Sequence, residues 1–260
     1  MNQIKFLTAC RPMPHVSRRE MHKYWDEHHL PTSLSVRRAL DLLHKEHAYT
    51  VEDYLLHDDL WGDGAETPLG YDQVGVHWLN AATAAETLSS EPAQQAMRKL
   101  GVDEKHMTDL VRSPSWFATE HVVVERGPGR TVALPGGPYL KFYSGWYVPA
   151  GADRQEAQRV YRTEHAALVE SVASDLGLAR YVQNVNVYDP TIEHLSKTVR
   201  GTEPDGFDGL DEFVWLRDDL VRALATPAGR DAAKALRAGQ DAFADRSLSP
   251  SWFAVERILY

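Results

Sequence analysis

The chain repeats itself, and this internal repeat constrains its fold more than any other feature of the sequence. The pentapeptide KFLTA begins at Lys5 and the related KFYSG at Lys141, while the hexapeptide SPSWFA begins at Ser113 and again at Ser249. Both pairs are separated by the same 136 residues. Because self-similarity at one fixed spacing indicates repeated structural units, the sequence predicts two copies of one folding unit.

The boundary between the copies follows from composition. The segment 126–138, RGPGRTVALPGGP, is rich in Gly and Pro, which is typical of a linker. We therefore predict a first unit at residues 1–125 and a second at residues 139–260.

Both copies show the same predicted order of elements, β-α-β-β-α-β, which is the split βαβ or ferredoxin-like unit. Each such sheet needs cover on the face that its own helices leave open, and the other copy can supply it. We therefore predict an α+β fold in which two tandem ferredoxin-like units form a single-chain, pseudo-dimeric α+β barrel. The predicted strands of the first copy lie near residues 3–10, 44–54, 72–79 and 115–124, and those of the second near 139–147, 180–188, 211–217 and 251–259. Helical segments are predicted at 17–32, 81–110 and 218–243. Loops are predicted at 58–70 and 189–209.

The third strand is the one element that we align with a different spacing. YDQVGVHW, which begins at Tyr71, matches LDEFVWLR from Leu210 when Asp72 is paired with Asp211, a spacing of 139 residues. This alignment predicts a net difference of three residues in the flanking loops, where such differences are tolerated.

Composition excludes several classes of protein. A net charge of -9 and a pI near 5.7 argue against nucleic acid and anionic membrane surfaces as partners, because both favour basic patches. No run of 18 apolar residues is present, so no membrane span is predicted. Cys10 is the single cysteine, and the N-terminus lacks the pattern of a secretion signal, so we expect a cytoplasmic protein.

One predicted helix, SRREMHKYWDEHHLPT from Ser17 to Thr32, places an aromatic residue and a histidine on one face. Trp25 and His29 are four residues apart, and the same spacing returns in the second copy at Tyr161 and His165. An imidazole at the edge of an apolar stripe can accept or donate a proton near pH 7. The alternative is a histidine at the edge of the core that hydrogen-bonds backbone carbonyls.

The residues that carry a family resemblance are an opening strand, the pattern S-x-x-E-x-x-x-Y-W-x-x-x-H-x-P, a later Y-D-x-V and a closing SWF strand. In these features the chain resembles a tandem EthD protein of the dimeric α+β barrel superfamily. The second copy is a looser match, because Ala167 replaces the proline and Tyr161 the tryptophan. The residues that match the motif are Tyr24, Trp25, His29, Pro31 and Asp72 in the first copy, and His165 and Asp211 in the second.

This resemblance implies a small-molecule pocket between the sheet and the helices of a unit, no required cofactor, and a role in catabolic or polyketide pathways. Ten of the twelve histidines lie before residue 122, so we expect the first copy to hold the active site and the second to be degenerate. We predict His29 as the general acid or base, with His77 or His47 relaying the proton or polarising a carbonyl. Predicted substrate-binding residues are Trp25, Tyr24, His28, Tyr49 and His121, and the second-copy candidates are His165 and Tyr161.

Two of these histidines have alternative interpretations. His77 stands opposite Leu216 in the alignment, so it is predicted to be buried and could simply bond a neighbour. His47 shares strand parity with Lys45 and Tyr49, a set that could line a pocket or a solvated face. His22, Asp26 and His29 have a spacing that could suit a metal, but we interpret it as a solvated helix edge and predict no metal.

The predicted function is a cofactor-independent lyase, dehydratase, cyclase or isomerase that acts on a small oxygenated aromatic, lactone or polyketide-like compound. One alternative is a metal- or haem-dependent oxygenase or peroxidase of the same superfamily. Another is a non-catalytic binding protein. No phosphate-binding or nucleophile-elbow motif is present, and pairing of two chains into a homodimer is left open.

Overall fold

The computed structural model describes residues 3–62, 70–126, 132–188 and 204–259, together with residues 190, 194, 197, 201 and 202. The first half contains a long first helix in three consecutive parts, the middle of which is a π-helix. Its strands are β1 (Gln3–Cys10), β2 (His44–Thr50), β3 (Gln73–Asn80) and β4 (Ser115–Glu125). Its helices are α1 (Arg18–Tyr24), π1 (Trp25–His29), α2 (Leu30–Val36), α3 (Tyr54–Trp61), α4 (Ala84–Ser89) and α5 (Glu91–Glu104), followed by a 3-10 turn at Leu110–Arg112.

The second half follows the same order, except that its described elements include no counterpart of α3. Its strands are β5 (Tyr139–Trp146), β6 (Leu178–Asn186), β7 (Gly209–Leu216) and β8 (Ser251–Ile258). Its helices are α6 (Arg154–Val160), π2 (Tyr161–His165), α7 (Ala166–Val172), α8 (Arg217–Leu224) and α9 (Pro227–Gln240).

The eight strands close into one antiparallel barrel in the order β1-β3-β2-β8-β5-β7-β6-β4. The first half contributes β4-β1-β3-β2 and the second β8-β5-β7-β6, which is the same order in each. The halves are joined where β2 pairs with β8 and where β4 pairs with β6. The predicted eight-stranded α+β barrel is therefore confirmed.

The strand register corrects the alignment of the third strand. Phe6 pairs with His77 between β1 and β3, and Phe142 pairs with Phe213 between β5 and β7. Because Phe142 is the counterpart of Phe6, the counterpart of His77 is Phe213 and not Leu216. The spacing is 136 residues here as elsewhere, so the predicted three-residue difference in the loops is wrong.

Contacts across the two halves are reciprocal. A Cβ at Gly70 would clash with Trp252 of the second half, and a Cβ at Gly206 would clash with Trp116 of the first. Both tryptophans are buried in the barrel interior, so the two glycines are needed where backbone approaches an indole ring. Each half thus meets the other through the same patch, as in a two-fold symmetric interface.

Part of the barrel interior is charged. Lys5 of the first half donates to Glu212 of the second at 2.9 Å, and Lys141 donates to the other carboxylate oxygen of Glu212 at 2.7 Å. Lys141 also pairs with Glu256. Burial lowers the pKa of Lys141, but Glu212 and Glu256 outweigh it, so the pKa lies well above its ordinary value. These charges link the two halves.

We expect Lys141→Met to lower the free energy of unfolding by about 3–5 kcal/mol, because the substitution leaves buried carboxylates without their cation. Urea unfolding at pH 7 measures the change. Lys105→Met is the matched control, since Lys105 is exposed, and its effect should stay within about 0.5 kcal/mol. A loss below about 1 kcal/mol for Lys141→Met would contradict a stabilising role for the network.

Two predicted connections differ from the structure. The sequence predicted a strand from His44 to Tyr54 and a loop from Asp58, whereas the strand ends at Thr50 and α3 follows. Of the predicted linker, residues 127–131 lie outside the described residues. Ala133 within it is fully buried and exchanges backbone and side-chain hydrogen bonds with Glu256, so this end of the linker is fixed to the barrel.

The described helices include none that is both long and apolar enough to cross a bilayer.

Candidate functional site

The π-helix π1 brings Trp25 and His29 together. Ser17 caps the preceding α1 through a capping box with Glu20, which fixes where the helix begins. Within π1 the amide of Leu30 donates to the carbonyl of Trp25, five residues earlier, so a side chain and its i+4 neighbour lie almost directly above one another. The Trp25 and His29 ring centroids are 3.8 Å apart, and both residues are buried.

Asp103, near the end of α5, orients His29. Its Oδ2 lies 2.7 Å from His29 Nδ1, and its Oδ1 accepts a hydrogen bond from the Tyr24 hydroxyl at 3.0 Å. Although burial raises the pKa of Asp103, the hydrogen bonds from His29 and Tyr24 lower it overall, so Asp103 is ionised and only accepts. His29 Nδ1 must therefore carry a proton.

The other ring nitrogen of His29 is consequently a proton acceptor in the neutral imidazole. Burial lowers the pKa of His29, and this effect outweighs the opposing hydrogen bond that Nδ1 donates to Asp103. At pH 7 the ring is neutral, with a lone pair on Nε2 that lies 4.0 Å from Glu104 Oε1. This is the protonation state that a general base requires.

His47 and Gln73 place unsatisfied polar atoms beside this histidine. Both ring nitrogens of His47 and both side-chain amide atoms of Gln73 are buried and have no hydrogen-bond partner. His47 is opposite Gly75 and Tyr49 is opposite Gln73 in the β2–β3 ladder, so His47 and Gln73 are near neighbours on the sheet face that packs against the helices. The His47 ring centroid lies 6.0 Å from that of His29 and 5.0 Å from that of Trp25. Buried unpaired polar atoms cost about 1–3 kcal/mol each, so this cluster favours a ligand or water that bonds them.

The other half of the chain covers this site. The Tyr49 hydroxyl donates to Asp26 Oδ1 at 2.9 Å, and Arg257 of β8 pairs with the same carboxylate. Arg257 is opposite His47 in the β2–β8 ladder. The last strand of each half thus lies against the site of the other half.

Three predicted site residues lie elsewhere. His28 is exposed and packs on Tyr24, with ring centroids 5.0 Å apart. His121 is exposed and lies 3.2 Å from the side-chain oxygen of Gln183, so it belongs beside the second half. His77 lies 3.2 Å from the carbonyl oxygen of Phe6 and lines an apolar cavity of about 20 Å³. It therefore fits the alternative interpretation, a buried histidine that bonds a neighbour.

The helix-edge histidines do not converge on a metal site. His22 Nε2 lies 3.1 Å from the carbonyl of Asp72, Asp26 binds Tyr49 and Arg257, and His29 binds Asp103. Across the described parts of the chain, no three His, Cys, Asp or Glu side chains are arranged to hold a metal ion.

The second half contains a different polar cluster at the corresponding place. His165 is buried, and neither of its ring nitrogens has a partner. Its Nε2 lies 4.0 Å from Asp211 Oδ2, which is also unpartnered. Asp211 Oδ1 accepts from Tyr161 at 2.9 Å and from Tyr181 at 2.6 Å.

The carboxylate nearest the histidine lies on opposite sides of the imidazole ring in the two halves. At the 136-residue spacing Asp103 corresponds to Gly239, and Asp211 corresponds to Gly75. The carboxylate comes from helix α5 in the first half and from strand β7 in the second. Sequence reasoning missed Asp103 and Gln73, and it paired Asp211 with Asp72. The correct counterpart of Asp72 is Asp208, because Arg18 pairs with Asp72 as Arg154 pairs with Asp208.

Comparison with known protein families finds a match in the second half of the chain. Residues 149–247 match the model of the EthD domain. This part of the chain is similar to the EthD domain. The match falls on the second copy, the one that the sequence had suggested was degenerate. No curated protein matches the chain.

One solved structure shows the same fold over the whole chain. An anthrone oxidase-like protein is 12% identical, with a TM-score of 0.61, and the alignment covers 100% of this chain and 94% of that one. A mutant chlorite dismutase from Candidatus Nitrospira defluvii is also 12% identical, with a TM-score of 0.46 and coverage of 99% and 92%. At this identity the first likeness establishes the barrel fold of the chain and nothing about its reaction.

Proposed function

We propose that this EthD-like protein is an enzyme that moves protons on a small oxygenated ring compound, with neutral His29 as the general base. The observation that carries the proposal is the Asp103–His29 pair, which leaves a buried imidazole lone pair near the unpaired ring nitrogens of His47, and Gln73 neighbours His47 on the same sheet face. The reaction class is that of a lyase, dehydratase, cyclase or isomerase, since proton transfer is common to all four. Acid–base side chains suffice for this chemistry, so no cofactor is invoked.

The base step follows from the geometry of His29. Nε2 takes a proton from a carbon next to a carbonyl group, and the ring becomes an imidazolium. The Asp103 carboxylate, 2.7 Å from Nδ1, stabilises that positive charge and keeps the ring in one tautomer. Tyr24 in turn holds the carboxylate.

The ligand chemistry follows from His47 and Gln73. The Gln73 amide and a ring N–H of His47 can donate to an oxygen on which negative charge develops as the proton leaves carbon. Burial lowers the pKa of His47 well below its ordinary value, so it is neutral and can still donate from one nitrogen. A neutral compound with a carbonyl or hydroxyl group on an aromatic, lactone or polyketide-like ring fits these groups.

The proposal extends to the organisation of the chain. We infer that the halves are two ferredoxin-like units fused in tandem, because strand order, spacing and reciprocal glycine–tryptophan contacts agree between them. The site of the first half then depends on the second, since Arg257 anchors Asp26 and through it Tyr49.

The test uses 1-tetralone, a bicyclic aromatic ketone with acidic hydrogens next to its carbonyl. Incubated in deuterated buffer, the protein should accelerate deuterium incorporation at that carbon, as followed by proton NMR. Asp103→Asn should slow the exchange, because an amide in place of the carboxylate neither fixes the tautomer nor stabilises the imidazolium. Wild-type protein that gives no exchange above buffer would contradict the proposal, as would an Asp103→Asn variant with full rate.

A further inference from the structure

The polar cluster at His165 needs an explanation that the first site does not supply. His165 Nδ1, His165 Nε2 and Asp211 Oδ2 are buried without partners, and the 4.0 Å between Nε2 and Oδ2 is too long for a direct hydrogen bond. One oxygen atom placed beside both could bond each of them. The cluster therefore resembles a binding site for a polar molecule more than a protein core in which every buried polar atom has a hydrogen-bond partner.

We propose that the second half carries its own proton-transfer site, in which Asp211 donates a proton to the carbonyl oxygen of a small neutral ketone while His165 removes one from the adjacent carbon. This site is separate from His29 and does not depend on it.

The surroundings of Asp211 favour its protonated form. Two residues of π2, Tyr161 and His165, face Asp211. Tyr181 of β6 and Gln240 of α9 also face it, and Ser144 is opposite it on β5. None of these groups is a cation. Burial consequently raises the pKa of Asp211 to about 7, and the hydrogen bonds from Tyr181, Tyr161 and Gln240 only partly oppose it.

The surroundings of His165 favour its neutral form. Its ring packs against Phe243 at 5.0 Å, Tyr161 at 6.0 Å and Tyr181 at 6.2 Å, measured between ring centroids. Burial lowers the pKa of His165 to about 4. Between these two values the site contains a neutral acid beside a neutral base, and a neutral ligand fits it because a charged one would be desolvated without a counter-charge.

The two sites differ because the carboxylate stands at a different position in each copy. Asp103 of the first half corresponds to Gly239 of the second, and Asp211 of the second half corresponds to Gly75 of the first. In the first half the carboxylate binds Nδ1, so it orients the histidine and stays ionised. In the second half Asp211 lies on the Nε2 side, the side that Glu104 occupies in the first half, and it can bind the same ligand as the histidine. The helix position that holds Asp103 in the first site holds Gly239 beside Leu168 and His165 in the second.

The proposed step is balanced without an oxidant or reductant. The C–H bond breaks as His165 Nε2 takes the proton, and its electron pair forms the C=C bond. The carbonyl oxygen takes the proton from Asp211 Oδ2, which yields an enol. The imidazolium and carboxylate that remain are neighbours, and a proton returning from His165 to Asp211 restores the starting state.

Deuterium exchange into 1-tetralone by the His29→Gln protein isolates this second site. We expect exchange above the buffer rate, with a bell-shaped pH profile whose limbs lie near pH 4 and pH 7, because His165 must be neutral and Asp211 protonated. Adding His165→Gln or Asp211→Asn should remove the exchange, whereas adding His15→Gln, at an exposed position, should not. Asn at 211 still accepts from both tyrosines, so this variant should fold.

The opposite results would overturn the proposal. His29→Gln protein with no exchange above buffer, or exchange that survives both His165→Gln and Asp211→Asn, excludes a second site. If circular dichroism shows that Asp211→Asn does not fold, two other results test the proposal. These are the effect of adding His165→Gln and the fall in the exchange rate of the His29→Gln protein near pH 7. The His165→Gln protein, which keeps only the first site, separately tests the function proposed for His29.

Discussion

Replacing His29 with Gln is expected to slow deuterium exchange into 1-tetralone by about 100- to 10,000-fold, the range that a positioned general base contributes. The substitution is made in the His165→Gln background, so that only the first site is measured. Gln fills similar space but cannot accept a proton from carbon. His15→Gln in the same background is the matched control and should keep the rate. A fall of less than about threefold for His29→Gln would remove His29 from the mechanism.

The pH profile of the same His165→Gln protein provides a second readout. Because burial lowers the pKa of His29, the base form persists below the ordinary value of 6.5. The rate should stay on its plateau as pH falls through 6.5 and decline only at lower pH. A decline centred above pH 6.5 would show that His29 is not held neutral.

Asp211→Asn is expected to stabilise the protein increasingly as pH rises, relative to wild type. The carboxyl titrates near 3.8 when unfolded and at about 7 when folded, so between these values the folded protein binds the extra proton. Its stabilising contribution is complete below pH 3.8 and is lost as pH rises to 7. Each unit of pKa difference is worth about 1.4 kcal/mol, so the two proteins should diverge by roughly 4 kcal/mol.

Urea unfolding of both proteins between pH 4 and pH 8 measures this divergence. The opposing titration of His165 is common to both proteins and cancels to first order in the difference. Asp231→Asn changes an exposed carboxylate on α9 and should give a pH-independent difference within about 0.5 kcal/mol. A flat difference for Asp211→Asn would mean that Asp211 is ionised in the folded protein.

Much of the fold was predictable because the repeat carries it. KFLTA and SPSWFA fix the first and last strands of each unit, and the element order between them indicates the topology. Helix α3 was not predicted because its apolar side is explained only by the other half. Leu56, Leu60 and Trp61 pack into the core formed by the second half, a contact that no local pattern in the first half reveals.

The site was predictable only where its residues are close in sequence. Trp25 and His29 were found from their spacing on one helix, and π1 makes that contact closer than an α-helix would. Asp103 is brought to His29 by packing of α5, and Arg257 and His121 each lie against the opposite half. Gly75 could have been recognised as the counterpart of Asp211 by keeping the 136-residue spacing through the third strand.

The most direct measurement of the central claim is the protonation state of His29 in solution. Long-range proton–nitrogen NMR on protein with nitrogen-15 histidine, assigned by comparison with His29→Gln, reports each ring nitrogen separately. We predict a neutral ring at pH 7 with a protonated Nδ1 and an unprotonated Nε2. A charged ring, or a proton on Nε2 instead of Nδ1, would contradict the assignment of His29 as the base.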